Sequence, residues 1–229
     1  MISQKNDPEA NIQVRTGVSA DGAVKHRFTK QHFRAASFFA DSAAHLENEI
    51  CVSPLKNEIR KPQHRAYVVG AIASAVMGLE ACINEIYLDA CDASQKNLAG
   101  LDESAMSLLA LWWIEIERRP ILFKYQHSLL LLGKPVLPKG ESLYQDTESL
   151  IRLRNALTHY KPEWDNSLDV HGNLQSRLRG KFTLNSLSTS ANLWFPHKCL
   201  GGGCARWAVG AAEKFVRTFC EHLGIRKRI

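Results

Sequence analysis

Apolar residues recur at three- and four-residue steps along most of this chain, and the steps break at proline and glycine. Phe33, Ser37, Ala40, Ala44 and Leu46 keep that spacing, with Phe38 and Phe39 adding bulk, and predict a first long helix over Phe28 to Ile50. Ser53-Pro54 and Lys61-Pro62 bracket a connection. A second long helix is expected from Pro62, where a first-turn proline loses no internal hydrogen bond, to Ala90. Ala66 to Ile86 is nearly all small or apolar, so this helix should be central and buried on most of its circumference. Glu80, Asn84 and Glu85 interrupt the run, and Glu80 and Asn84, four apart, share a face.

Asp102 is a natural N-cap for a third helix that carries Met106, Leu109, Trp112, Trp113 and Ile116 and ends near Arg119-Pro120. Ile121 to Leu132 reads either as a further helix or as part of a long loop closed by Gly133, and Pro135, Pro138 and Gly140 mark a break. A helix from Glu141 to Tyr160 follows, with Leu143, Leu150, Ile151, Leu153 and Leu157 as its stripe. It should stop at or before Lys161, because Pro162 disfavours helical geometry in the residue ahead of it. Residues 163–198 are polar and turn-rich, with one short helical candidate around Leu174 to Leu178. Gly201-Gly202-Gly203 reads as a flexible joint before a last helix, Cys204 to Leu223, closed by Gly224.

No segment shows sustained strand alternation. The fold class expected is all-α, an up-and-down bundle of four to five long helices. Residues 1–26 are polar and are expected to form a flexible N-terminal extension, with residues 27–229 as a single helical domain that has a loop-rich insertion at about 163–203.

Composition narrows the class without choosing a function. The 229 residues are 45% hydrophobic, enough for one sizeable core. The net charge of +6 admits an anionic partner such as RNA and equally suits a basic surface kept for solubility. The most apolar run, Val68 to Leu79, falls short of the roughly 18 consecutive apolar residues of a membrane span, and the polar start carries no secretory pattern. A soluble cytoplasmic protein with no membrane role is expected, its six scattered cysteines reduced. Cys199 and Cys204 with His197 suggest zinc, but the glycine spacer and the lack of a second matched pair argue against a metal. The glycine triplet resembles a phosphate cradle only weakly, since no Lys-Ser/Thr follows it. Trp112, Trp113 and Trp207 have the spacing of core anchors rather than of base-stacking platforms. No cofactor is implied.

The chemistry concentrates in Arg154-Asn155-Ala156-Leu157-Thr158-His159, at the end of the fifth segment. A guanidinium holds a phosphodiester charge, a carboxamide hydrogen-bonds, and an imidazole moves protons near neutral pH. Together they suit metal-independent RNA cleavage, in which the 2′-hydroxyl attacks the adjacent phosphate to leave a 2′,3′-cyclic phosphate and a 5′-hydroxyl. His159 would transfer the proton, Arg154 would stabilise the phosphate, and Asn155 would orient either group. On spacing alone, the ordinary reading is a pair of cations that favour the negative end of a helix dipole. Five residues of ideal helix also turn the Arg154 and His159 directions roughly 140° apart, so a frayed helix end or a second protomer is needed to complete a site.

This hexapeptide resembles the motif of the HEPN superfamily (higher eukaryotes and prokaryotes nucleotide-binding), an Arg followed after four to six residues by His, often with Asn directly after the Arg. Leu79 to Tyr87, with Glu80 and Asn84, resembles the acid- and Asn-bearing helix that precedes the motif in many relatives. The resemblance implies a HEPN-like bundle that pairs as a homodimer with a composite ribonuclease site, active in toxin–antitoxin systems, stress or antiviral defence. Arg154, Asn155 and His159 would be catalytic, and Glu80, Asn84, Thr158 and Tyr160 supporting, with Glu80 fixing the Arg154 guanidinium if it faces the bundle interior there. RNA and an antitoxin or regulatory protein are the partners so implied. The alternative is a non-catalytic HEPN module that binds nucleotide, RNA or a partner protein. Several toxins of the family carry a Tyr two residues after the His; here Tyr160 follows directly and Lys161 stands at the second position.

Overall fold

The structure is a computed structural model that describes residues 25–53, 57–92, 97–161, 171–226 and 229. Among these residues the protein is all-helical, a bundle without strands. Helices α1 (Thr29–Val52) and α2 (Asn57–Cys91) form an antiparallel hairpin. The start of α1 lies beside Glu85 and its end beside Arg60. α3 (Glu103–Ile116) and α4 (Ile121–Leu131) cover the second half of α2. α5 (Ser142–Thr158) and α7 (Gly202–Leu223) close the bundle, with the short α6 (Gly172–Leu178) against α5.

The core follows the periodicity. α2 buries Val68, Ala71, Ile72, Ala75, Val76, Leu79, Ile83 and Ile86, and α7 buries Ala205, Ala208, Ala212, Phe215, Val216 and Phe219. Tyr125 of α4 meets Phe215 and Phe219 edge-on and donates its hydroxyl to the Leu79 carbonyl at 2.7 Å. By length and mean hydropathy (1.8 over its most apolar window), α2 could also cross a membrane. Counting unbroken apolar residues missed this, because Glu80 ends the run Val68 to Leu79 while a longer window that includes it stays apolar on average. Its apolar side is here packed into the bundle.

Several elements begin elsewhere than the pattern suggested. α2 starts at Asn57, so Pro62 lies inside the helix and not in its first turn. Its ring removes the hydrogen bond that the Glu58 carbonyl would accept, and an ion pair from Arg60 to Glu49 ties this stretch to α1. Ile121–Leu131 is a helix, and Gly133 follows it with a positive φ of 62°. Lys25, assigned to the N-terminal extension, bonds the Leu88 carbonyl and pairs with Asp92. Trp112 is half-exposed beside His127 rather than a core anchor, while Trp113 packs against Tyr87. Residues 1–24 of the proposed extension, residues 163–170 of the insertion, and Pro162 lie outside the described residues.

The glycine triplet is a tight crossing and not a flexible joint. A Cβ on Gly202 would sit 2.8 Å from the Ala44 Cα, and one on Gly201 2.6 Å from the Asn185 Cα. These contacts let α7 start against α1 with no side chain between them. Gly202→Ala should therefore cost about 1–3 kcal/mol by overpacking. A melting temperature unchanged from wild type would contradict this.

Candidate functional site

The end of α5 carries Arg154, Asn155 and His159. α5 is fixed to its neighbours by Leu150 and Leu153 in the core and by ion pairs from Glu148 to Arg177 (3.0 Å) and from Asp146 to Lys181. The helix ends at Thr158. His159 is its C-cap, with φ −107° and ψ 31°, and its N–H donates to the Asn155 carbonyl at 2.9 Å. The Thr158 hydroxyl bonds back to the Arg154 carbonyl one turn earlier, at 3.0 Å. The backbone thus leaves helical geometry at the histidine itself.

Asn155 and His159 are exposed, and Arg154 is half-buried. The Arg154 Nε is shut off from solvent and has no hydrogen-bond partner among the described residues. The acids on its own helix are engaged elsewhere, Glu148 by Arg152 and Arg177, and Asp146 by Lys181. A buried donor with no acceptor is uncommon in folded proteins and costs about 1–3 kcal/mol. Tyr160 extends the site toward the segment before α7: its ring lies 6.5 Å from His171, nearly parallel, and 6.2 Å from Phe195.

Glu80 and Asn84 are engaged by a different cation. Both turn toward Lys124 of α4: its ammonium donates to the Asn84 side-chain oxygen at 2.8 Å and lies 3.8 Å from the Glu80 carboxylate. The supporting role imagined for them beside Arg154 therefore falls to a different cation. Lys124 is almost fully buried, so it needs both groups, and burial pushes its ammonium below the ordinary lysine value while Glu80 and Glu117 oppose that shift. The Trp113 ring lies 5.9 Å from the ammonium.

The sequence pattern also hid a buried polar node at the start of α7. Glu47 of α1 is 6% exposed, and its carboxylate accepts the Gly202 N–H at 2.5 Å, the Ser186 N–H at 2.9 Å and the Ser186 hydroxyl. The buried His64 of α2 lies 2.9 Å from the same carboxylate. Burial pushes the Glu47 carboxyl up, but the bonds from His64, Ser186 and Gly202 outweigh it and hold it at about 2. The anion-accepting start of α7, the candidate phosphate cradle, is thus filled by the protein's own Glu47. The signal was present, since Glu47 continues the Ala36, Ala40, Ala43, Ala44 stripe at helical spacing. Cys199 and Cys204 are buried side by side, and among the described residues no three His, Cys, Asp or Glu side chains converge as a metal site. The chain matches no protein-family model, no curated protein and no solved structure.

Proposed function

We propose that the protein is a HEPN-type endoribonuclease that cleaves RNA without a metal, by attack of the 2′-hydroxyl on the adjacent phosphate. One observation carries the reading: Arg154 and the exposed Asn155 lie one turn before an exposed histidine that caps the end of their helix. In this reading Arg154 holds the scissile phosphate and stabilises the charge that grows on it. His159 moves the proton of the attacking or the leaving oxygen. Asn155, exposed one turn before His159, orients the phosphate or the ring. A second copy of the chain supplies the other half of a composite cleft. An RNA partner also suits the net charge of +6.

The test is incubation of the purified protein with mixed RNA in EDTA, beside DNA of the same length. The expected products carry 2′,3′-cyclic phosphate and 5′-hydroxyl ends, and DNA stays intact because it lacks the attacking hydroxyl. RNA that stays uncut rejects the ribonuclease reading and leaves the non-catalytic binding module. A monomer that cuts at full rate at high dilution rejects the composite site.

A further inference from the structure

A second site lies away from Arg154, between the first turns of α2 and the segment that leads into α7. It is an open pocket of about 200 Å³ lined by Lys61, Arg65 and His64 from α2 and by Asn185, Asn192 and His197 from the other side. We infer that this pocket binds a phosphoryl group, as free phosphate or as the head of a small phosphomonoester.

The donor arithmetic supports an anion. Lys61 and Arg65 line the pocket, and neither has a carboxylate partner among the described residues. The Arg65 Nη2 lies 3.2 Å from the His197 Nδ1. A guanidinium can only donate, so Nδ1 accepts and the ring proton sits on Nε2. Burial and the adjacent Arg65 push His197 below the ordinary histidine value, which keeps the ring neutral near pH 7. The Asn192 side-chain oxygen is taken by the Thr189 N–H and hydroxyl, which leaves its NH₂ as a donor.

The remaining polar groups frame the pocket. The Asn185 amide donates to the His197 carbonyl at 3.1 Å, and its oxygen accepts the Leu187 N–H at 3.0 Å. The carboxylate nearest in the chain of contacts, Glu47, does not line the pocket, and its oxygens are committed to Gly202, Ser186 and His64. Two fixed cations with free amide and imidazole donors, and no acid lining the wall, make a receptor for a compact, multiply charged oxyanion. The volume, about 200 Å³, lies below the roughly 300–1,000 Å³ of pockets that enclose drug-sized ligands and is on the scale of a single phosphoryl group.

The test is calorimetric titration of the full chain with inorganic phosphate and with ribose 5-phosphate, each against sodium chloride at matched ionic strength. A dissociation constant on the order of 1 mM or tighter for either phosphate is expected. Arg65→Gln should weaken it roughly tenfold or more, the loss of a charge-assisted hydrogen bond, and Lys61→Gln should weaken it less. Tighter binding of the ester identifies a phosphomonoester as the ligand; tighter binding of the free ion identifies phosphate. The inference is overturned if heat appears only in proportion to ionic strength. It is also overturned if Arg65→Gln and Lys61→Gln, with wild-type melting temperatures, bind as the parent does. Binding abolished by Arg154→Ala but kept by Arg65→Gln would place the anion at the end of α5 and overturn it as well.

Discussion

Glu47→Ala should destabilise the protein by about 3–5 kcal/mol, since several buried donors lose their acceptor at about 1–3 kcal/mol each. For a chain of this size that is a fall in melting temperature of roughly 6–20 °C. The loss is large because one carboxylate serves three elements. Removing it orphans the Gly202 N–H, the Ser186 N–H and the His64 ring together. Glu47→Gln keeps one acceptor oxygen but turns an NH₂ toward groups that themselves donate, so it should cost about 1–3 kcal/mol.

The pH dependence has a definite sign. The carboxyl is held at about 2 in the folded protein against an ordinary 4.5. Its contribution is therefore complete above about pH 4.5 and is lost as the pH falls toward 2. It amounts to about 3 kcal/mol. Denaturant unfolding at a series of pH values should show wild type losing stability through this window more steeply than Glu47→Gln. Parallel curves would show that the carboxylate is not held as described.

His159→Ala should slow RNA cleavage by ~10²–10⁴-fold, the usual contribution of a positioned acid–base group. Arg154→Ala should cost ~10²–10³-fold through lost stabilisation of the phosphate. Arg154→Lys should recover little of it, since a point charge cannot replace a bidentate fork. His159 is exposed, so the stability of its variant should lie within about 0.5 kcal/mol of wild type. That pairing of large kinetic and negligible thermal effects separates chemistry from folding. Variants that cut RNA at the parent rate would leave the hexapeptide as a set of helix-end cations.

The helices were legible wherever burial enforces a 3.6-residue period, as in the Phe33 to Ile50 face of α1 and the Phe215, Phe219, Leu223 face of α7. The end of α5 was legible for a different reason: Pro162 forbids continuation, and the helix stops within a turn of it. Contacts that join distant segments were not legible. Glu80 and Asn84 share a face as their spacing requires, yet nothing local says that the face meets Lys124 and not Arg154. Glycine in series looks flexible in a sequence, and only the approach of Ala44 and Asn185 shows it as a closely packed crossing. The phosphoryl pocket draws on residues as far apart as Lys61 and His197, and no short motif spans such a distance.

The first turn of α1 has no side-chain cap of its own; the Phe28 and Thr29 N–H groups are instead accepted by Glu85, at 2.8 and 2.9 Å, from the far half of α2. Asp89, fully buried, grips the Arg27 guanidinium through both oxygens beside it. The start of one helix thus waits on carboxylates more than fifty residues away in the chain. Neither helix of the hairpin is complete until both have docked, so the pair should form and melt as one cooperative unit, with amide hydrogens at the start of α1 exchanging in step with those around Glu85 rather than by independent fraying.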